Sequence, residues 1–234
     1  MAEMTASDAA ETLDVSQRQV RRLANGGVLT VSRVVGRTLL LDAASVHRLA
    51  QRVRHNGRPW APATAWAALA LLSGERVDWI DASVLSRLRH RLRGYNVREV
   101  AWLSRRRAAV HQMRGWGTAD GLLPTGVSAL QEPEIATLFG LSTANRGTDG
   151  YVANRAFSDL TLVSGLYHDI EGDVVVRVVP DDAGYDLEHP LIAAVAVDLS
   201  ESLDTREAAA GERVLGELIA EFRNGDGVLG WNAW

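Results

Sequence analysis

The chain has 234 residues, 47% hydrophobic and 23% charged, with no cysteine and with arginine alone supplying its 25 basic residues. This composition is typical of a globular protein with one or two domains, and it excludes disulfide bonds, cysteine-ligated zinc and catalysis by a cysteine or lysine side chain. No apolar run reaches the roughly 18 residues of a membrane span, and the acidic start MAEMTASDAAETLD lacks the layout of a signal peptide, so we expect a cytoplasmic protein.

The net charge of −4 is distributed unevenly along the chain. Residues 1–116 contain 19 arginines and 9 acidic residues, whereas residues 117–234 contain 6 arginines and 20 acidic residues. A basic half of this kind indicates a nucleic-acid partner, although two halves that attract each other would show the same split. We predict three parts: a domain at 1–55, a basic helical segment at 59–116 and an acidic α+β domain at 117–234.

The first predicted element is a short helix. Thr5 and Asp8 have the spacing of a capping box, in which a hydroxyl and a carboxylate satisfy the first free amides of a helix. Its apolar side comprises Ala9, Ala10 and Leu13.

A second helix is predicted directly after a tight turn at Asp14-Val15. Ser16 is followed three residues later by Gln19, which marks a helix start, and the helix runs from Gln17 to Ala24 with Val20 and Leu23 facing the first helix. This is the helix-turn-helix layout, in which the second helix presents its N-terminal residues to base edges in the major groove.

Arginine can bond twice to guanine and glutamine twice to adenine, so this helix can read sequence as well as bind phosphate. The candidates for base or groove contact, which follow the helix start at Ser16, are Gln17, Arg18, Gln19 and Arg21. The candidates for phosphate contact are Arg22, Arg33 and Arg37.

A β-hairpin is predicted after Gly26-Gly27 ends the second helix. Two β-rich runs at 28–35 and 38–41 flank the two-residue turn Gly36-Arg37. Arg33 and Arg37 are expected near the hairpin tip, where they can reach phosphates or the minor groove.

Asp42 caps a third predicted helix, whose apolar positions are Val46, Leu49 and Val53. With these elements in order, the stretch TASDAAETLDVSQRQVRRLANGGVLTVSRVVGRTLLLDAASVHRLA resembles the winged domains of excisionases and of mercury-resistance-type regulators. The resemblance implies a winged helix-turn-helix that binds DNA through Ser16 to Arg22 and through a wing at Arg33 to Arg37. Leu29-Thr30-Val31 departs from the pattern, because proline is often found there in these families.

The basic segment predicts three helices. Pro62 begins a buried helix that runs to Leu72, Asp81 caps a second, and Asn96 caps a third from Val97 to Arg114. The second helix is expected to point Arg87, Arg89, Arg91 and Arg93 outward. Together with the run Arg105, Arg106 and Arg107, they are candidates for additional phosphate contacts; a solvated helix face, or docking on the acidic half, explains the same charge. The tryptophans here stand beside Ala and Leu, which favours core anchors over base stacking.

The acidic domain is predicted as a small α+β unit. Its early elements are a strand and turn at 121–126, a short helix near Pro133 to Phe139, a loop at 143–150 and a helix at 157–166. They are followed by strands at 173–180 and 191–199 and by an amphipathic helix from Asp204 through Phe222.

Catalysis is the less favoured interpretation of the acidic domain. Asp169, Glu171 and Asp173 precede a strand and Asp198 ends the next, and carboxylates so placed can bind a divalent cation. Edge positions and helix or strand caps explain the same residues, and the chain has no Gly-rich phosphate loop, serine elbow or ligand-spaced histidine pair. We therefore predict no enzyme, no metal and no cofactor.

The segments VVVRVVPDD, PLIAAVAVDLSES and DTREAAAGERVLGEL resemble the C-terminal part of AbiE-type antitoxins. That resemblance implies repression of the protein's own operon and a neighbouring nucleotidyltransferase toxin as partner. The acidic domain would then be a partner or self-association surface rather than a substrate pocket, and an acidic face suits a basic partner.

The predicted function is a sequence-specific DNA-binding transcriptional regulator, in the form of an autorepressing antitoxin. The alternatives are a ligand-sensing transcription factor and an excisionase-type recombination accessory factor, and a metal-dependent enzyme is the least favoured. The expected partners are double-stranded DNA at its own promoter and a cognate toxin. One winged domain makes few contacts, so we expect a homodimer or tandem binding on repeated sites.

Overall fold

The computed structural model describes residues 3–13, 15–36, 38–43, 45–46, 58–115, 121–143 and 147–225. The protein is a mixed α+β chain with two sheets in the described residues, so the predicted fold class is confirmed at that level. The chain divides into two compact units, Met1–Asn56 and Gly57–Trp234, which we call the N-terminal unit and the C-terminal unit. The basic segment 59–116 and the acidic domain 117–234, predicted as separate parts, belong to one unit.

The N-terminal unit combines two helices with a three-stranded antiparallel sheet in the order β1-β3-β2. Its elements are β1 (Glu3–Thr5), α1 (Ala6–Thr12), α2 (Gln17–Asn25), β2 (Val31–Val35) and β3 (Thr38–Asp42). The sequence analysis does not predict β1, because three residues are too few to show an alternating pattern.

Both helices begin where the capping residues predict. The Thr5 hydroxyl accepts a hydrogen bond from the Asp8 amide at 3.2 Å, and the Asp8 carboxylate accepts one from the Thr5 amide at 3.4 Å. The Ser16 hydroxyl accepts a hydrogen bond from the Gln19 amide at 3.3 Å. These bonds satisfy amides that a helix start leaves without a partner in the helix.

A small apolar core holds the two helices against the sheet. Ala9 of α1, Val20 of α2 and Leu41 of β3 are fully buried in one cluster. The small Ala9 side chain allows α1 and α2 to approach closely. The cluster also contains Ala6, Ala10, Leu13, Ala24, Leu29 and Val46.

Strands β2 and β3 form the predicted hairpin, in which Val35 pairs with Thr38. Gly36 has a φ of 61°, which a tight turn requires and glycine adopts without steric cost. Asp42 accepts a hydrogen bond from the Ser45 amide at 3.0 Å, the capping contact predicted for a third helix. Several predicted features lie outside the described residues: the turn residues Asp14 and Arg37 and the apolar positions Leu49 and Val53.

The C-terminal unit contains eight helices and five strands in its described residues. The helices are α3 (Pro62–Leu72), α4 (Ala82–Leu92), α5 (Val97–Ser104), α6 (Gly126–Ala129), α7 (Pro133–Phe139), α8 (Asn154–Val163), α9 (Ile192–Ser200) and α10 (Thr205–Asn224). The strands are β4 (Ala109–Arg114), β5 (Leu123–Pro124), β6 (Thr148–Ala153), β7 (Tyr167–His168) and β8 (Val174–Val179). The sheet order is β5-β6-β8-β4-β7, with β6 parallel to β8 and the other pairs antiparallel.

This sheet has buried side chains on both faces. On one face Val176 and Val178 pack with Leu160 of α8. On the other face Tyr151 packs edge-on against Trp66 of α3, with ring centroids 5.0 Å apart. The second face adjoins the main core, to which α3, α4, α5, α9 and α10 all contribute, so the basic segment and the acidic domain share one core. Trp66 is an anchor of that core, as predicted, whereas Trp116 lies outside the described residues.

Helix α10, with 20 residues, begins where Asp204 predicts. The Asp204 carboxylate accepts hydrogen bonds from the amides of Arg206 and Glu207, and Val214, Leu215 and Leu218 face the core. The helices in the described parts of the chain all lack the combination of length and apolarity that a bilayer crossing requires.

The predicted helix from Val97 to Arg114 is wrong. Helix α5 ends at Ser104, and residues 109–114 form β4, in which Val110 pairs with Arg177 of β8. Arg107 lies between the two elements, and its side chain turns inward to the buried Asp198.

The predicted strand at 191–199 is also wrong, because this segment is helix α9. Its residues are apolar on every face and nearly all are buried, and a short apolar run of this kind fits a buried strand and a buried helix equally well. The predicted loop at 143–150 contains the start of β6 at Thr148. The strand predicted at 173–180 and the helix predicted at 133–139 are confirmed as β8 and α7.

Candidate functional site

Helix α2 exposes a polar face. Val20 and Ala24, four residues apart, are buried, and this places the remaining side chains on the outer side of the helix. Gln19 is half-buried, and the exposed residues of α2 include Gln17, Arg18, Arg21 and Arg22. The structure therefore brings together on one helix the residues predicted to contact DNA, next to the Ser16 cap.

The start of α2 is held in place by neighbouring side chains. Besides the Ser16 cap, the Gln17 amide group donates a hydrogen bond to the Ser7 hydroxyl of α1 at 3.2 Å. Among the described residues, the guanidinium groups of Arg18, Arg21 and Arg22 contact no acidic partner. Arg18 lies in the first turn of α2 and Arg22 in its last turn, and guanidinium groups without an acidic partner provide both the charge and the donors that bind phosphate.

Arg33 is not at the tip of the hairpin, which corrects the prediction. It pairs with Leu40 in the middle of the β2–β3 ladder, and its guanidinium group donates hydrogen bonds to both carboxylate oxygens of Glu3, the shortest at 2.9 Å. The hydrogen bonds from Arg33, and then from Ser32, lower the pKa of Glu3. Strand β1 thus supplies an acid that neutralises Arg33, although the Arg33 side chain remains 64% exposed.

The run Arg105-Arg106-Arg107 divides into two kinds of environment. Arg105 and Arg106 are exposed, and the Arg105 guanidinium lies 3.3 Å from the centre of the Trp102 ring. The Arg107 side chain is only 3% exposed, so it cannot bind a phosphate on another molecule. The prediction of a phosphate contact by Arg107 is therefore wrong.

Arg107 belongs to a buried ion-pair cluster in the C-terminal unit. The Arg107 guanidinium donates hydrogen bonds to Asp198 of α9 and to the Tyr151 hydroxyl, the latter at 2.8 Å. Asp198 also accepts a hydrogen bond from Tyr151 at 2.7 Å and one from Thr125 at 2.5 Å. Arg177 of β8 lies 3.0 Å from the same carboxylate.

A second carboxylate completes the cluster. Asp149 of β6 accepts two hydrogen bonds from Arg177, at 2.8 and 2.9 Å. Glu201, half-exposed at the edge, lies 3.3 Å from Arg107 and 3.6 Å from Arg177. Two buried arginines thus face two buried aspartates, and the paired geometry offsets the cost of removing these charges from water.

The two aspartates have opposite pKa shifts. Burial by itself would raise the pKa of Asp198, but Arg177, Arg107 and the hydrogen bond from Thr125 lower it below its usual value. For Asp149, burial outweighs the hydrogen bonds from Arg177 and raises the pKa. Burial also raises the pKa of Tyr151, so this phenol stays protonated and acts as a hydrogen-bond donor.

A cavity of about 620 Å³ opens beside this cluster. Asp149, Arg177 and Asp198 reach its wall, and further acidic side chains line it. Gly126, at a φ of 49°, also lines it, and a Cβ atom there would lie 2.6 Å from a carboxylate oxygen of Asp149. The remaining polar and acidic lining residues include Gln112, Thr148, Asp173, Glu201, Ser202, Asp204 and Glu207.

The acidic residues that precede β8 make structural contacts. Asp169 accepts a hydrogen bond from Arg114 at 2.6 Å, which lowers the pKa of Asp169. Asp198, predicted at a strand end, lies in a helix and belongs to the buried cluster. In the described parts of the chain, no three His, Asp or Glu side chains are placed to hold a metal ion.

Sequence analysis missed the buried cluster, although two signals pointed to it. Arg177 interrupts the apolar strand VVVRVV, and Asp198 follows the apolar run IAAVAV. A charged residue inside such a run requires a buried partner of opposite charge. The sequence does not say which residue is that partner, because Asp149, Arg177 and Asp198 come together only through the parallel pairing of β6 with β8 and the packing of α9.

Comparison with known proteins yields no relative. A scan against protein-family models finds no matching family. A search of curated proteins and a search of solved structures find no match either.

Proposed function

We propose that this chain is a sequence-specific DNA-binding transcriptional regulator and that residues 1–55 form a winged helix-turn-helix. The observation that carries the proposal is the outer face of α2, where Gln17, Arg18, Arg21 and Arg22 are exposed on a helix that is capped and packed on α1. A fixed helix that exposes glutamine and arginine at its N-terminal end suits base-edge recognition in the major groove. The proposed role is to bind DNA in the bacterial cytoplasm rather than to catalyse a reaction.

Within this proposal the residues of α2 have different roles. Arg18 and Arg21, with Gln17 and Gln19, contact bases or the groove, and Arg22 contacts phosphate. Ser16 fixes the helix start and leaves its neighbouring amides directed at the DNA. Arg33 contributes less than the sequence suggests, because Glu3 already neutralises it. Arg37 remains a proposed wing contact, from sequence alone.

The unit is small, and a single module of this kind buries too little surface for tight specific binding. We therefore propose that the protein binds as a homodimer or in tandem on repeated sites. Half-sites separated by one or more helical turns of DNA would then be expected.

The resemblance to AbiE-type antitoxins favours an autorepressor whose C-terminal unit binds a toxin encoded beside it. Co-expression with the neighbouring gene product is the test. A stable complex, with growth restored in cells that express the neighbour, supports the antitoxin form. Growth inhibition by the neighbour that this chain does not relieve contradicts it.

A ligand-sensing regulator is the second candidate, and the cavity beside the Asp198 cluster is the observation in its favour. A space of about 620 Å³ is large enough for a metabolite. A ligand sensor would change its DNA affinity when a small molecule binds, whereas an antitoxin would respond to its toxin. Measuring operator affinity in the presence of small molecules and, separately, of the neighbouring protein distinguishes the two.

The proposed function is tested by fluorescence anisotropy with labelled duplexes. One duplex carries the DNA upstream of the protein's own gene and the other a scrambled version, and the salt concentration is varied from about 50 to 200 mM. The proposal predicts tighter binding to the native duplex, with the logarithm of affinity falling linearly with the logarithm of salt. Absence of binding to both duplexes at low salt would contradict it.

A further inference from the structure

The outer face of α4 is covered by arginine. Leu88 and Leu92, one helical turn apart, are buried in the main core. This orientation leaves four arginines on the remaining surface of the helix, all of them exposed: Arg87, Arg89, Arg91 and Arg93. No acidic residue lies within α4, which contains three of these arginines, and Arg93 adds a fourth positive charge at its C-cap.

The same charge continues into α5 and the turn after it. Arg98, Arg105 and Arg106 are exposed, and residues 82–106 contain seven arginines and one acidic residue, Glu99. Glu99 offsets only one of these seven positive charges, and its carboxylate accepts a hydrogen bond from the Asn96 amide in a capping box. We call these seven exposed arginines the arginine surface.

Contacts with the acidic half of the chain account for only part of the positive charge in the basic segment. Arg107 reaches Asp198, and Arg114 binds Asp169. Five members of the arginine surface have no hydrogen bond and no ion pair from their guanidinium groups to the part of the chain that the structure describes: Arg87, Arg89, Arg91, Arg98 and Arg106. The acidic half of the same unit therefore leaves them unneutralised.

Helix stabilisation does not account for this pattern either. Cations in the last turn of a helix interact favourably with its dipole, which fits Arg89 and Arg91. Arg98 lies in the first turn of α5, where a positive charge is unfavourable by the same argument. Arg87 lies in the middle of α4, beyond the reach of the terminal dipole.

We propose that the arginine surface binds the phosphate backbone of duplex DNA without reading its sequence. This inference rests on the proposed function and adds a second DNA-binding surface, in the other unit. Helix α4 has 11 residues, which corresponds to about 16 Å, and one DNA strand carries a phosphate about every 3.4 Å along the duplex axis. Several phosphates thus fall within the length of the helix. Because both units belong to one chain, phosphate contacts made by the C-terminal unit raise the affinity of the full chain for DNA.

The experiment uses the full chain with the native and scrambled duplexes, over the same salt range. The test variant is the double substitution Arg87→Ser/Arg91→Ser, at exposed positions where folding is not at risk. The matched control is Arg155→Ser/Arg206→Ser, which removes the same charge from two exposed positions of the same unit on α8 and α10. Thermal melting of each variant checks that the fold is unchanged.

We expect the test variant to lower the slope of log affinity against log salt by about 1.8, or 0.9 for each lost phosphate contact. With an unchanged intercept at 1 M salt, this corresponds to about 60-fold weaker binding at 0.1 M salt. The loss is equal for the two duplexes, and the control variant binds like the wild type. Equal slopes for the test and control variants would overturn the inference and leave an acidic protein as the partner of this surface.

This inference and the proposed function can fail separately. If the wild type prefers the native duplex but the test variant keeps the full slope, the regulator stands and the arginine surface does not bind DNA. If the wild type binds both duplexes alike and the test variant loses slope, the arginine surface binds DNA and the sequence-specific function is wrong. Absence of binding to either duplex contradicts both.

Discussion

Arg18, Arg21 and Arg22 on α2 are exposed without an acidic partner in the described residues, whereas Arg107 and Arg177 in the C-terminal unit are buried against Asp149 and Asp198. The two regions use the same residue type in opposite ways. The arginines of α2 add little to the stability of their unit, because water already solvates them. The two buried arginines are not available to DNA, but removing either of them would leave two buried aspartates with a single arginine between them.

This contrast shows that the density of positive charge in a sequence does not tell which arginines are exposed and which are buried. Arg106 and Arg107 are neighbours in the densest run, yet one is exposed and the other is almost completely buried. What separates an exposed arginine from a buried one in this pair is that the fold provides a buried acid within reach of Arg107. Substitutions that affect stability and DNA binding separately are therefore the way to test the contrast.

The largest expected effect is on stability. Arg107→Ala should lower the free energy of unfolding by about 3–5 kcal/mol, because Asp198 would lose a buried partner. Chemical denaturation measures this, and the adjacent exposed residue gives the control: Arg106→Ala should change stability by less than about 0.5 kcal/mol. Equal effects of the two substitutions would show that the buried cluster does not stabilise the fold.

The next effect is on recognition. Arg18→Ala should reduce the preference for the native duplex by about 5- to 150-fold, the range for one bidentate base contact, without changing the melting temperature. Arg22→Ala, at the proposed phosphate contact on the same helix, should weaken binding to both duplexes alike. Anisotropy with the native and scrambled duplexes separates the two outcomes, and an unchanged preference in Arg18→Ala would remove this residue from base recognition.

A smaller effect on DNA affinity is expected when Arg33 loses its ion pair with Glu3. Glu3→Gln removes the charge that neutralises Arg33, so binding to both duplexes should become tighter, with a slope steeper by about 0.9 in log salt. Glu134→Gln, an exposed acid on α7, controls for the change in net charge. If both variants tighten binding equally, Arg33 makes no phosphate contact of its own.

The smallest effect concerns pH. Burial, and then the nearby His168, lower the pKa of His111, and the two rings lie 5.0 Å apart. A group whose folded pKa lies below its unfolded value stabilises the fold above the unfolded pKa, which is about 6.5 for histidine. The stability therefore falls as the pH decreases from about 7.5 through 6.5 towards the folded pKa. Denaturation curves of His111→Asn should show a smaller loss over this range than the wild type, and an equal loss would exclude His111 as the cause.

The two helices and the hairpin of the N-terminal unit could be predicted because their signals are local. Capping at Thr5 and Ser16, and the glycine at Gly36, act within a few residues and need no information about the rest of the chain. The buried cluster could not be predicted, because Arg107 and Asp198 are far apart in sequence and meet only after the sheet and α9 have packed. The helix at 192–200 escaped prediction for a related reason: its apolar residues contact the core on every side, which hides the helical periodicity.

The most direct test of sequence-specific DNA binding is selection of duplexes by the full chain from a pool of random sequence, followed by sequencing of the bound fraction. The account predicts that the wild type enriches a common short motif and that Arg18→Ala enriches a degraded form of it. An enriched pool with no motif, from a protein that is folded and retains duplexes at low salt, would contradict sequence-specific recognition by α2.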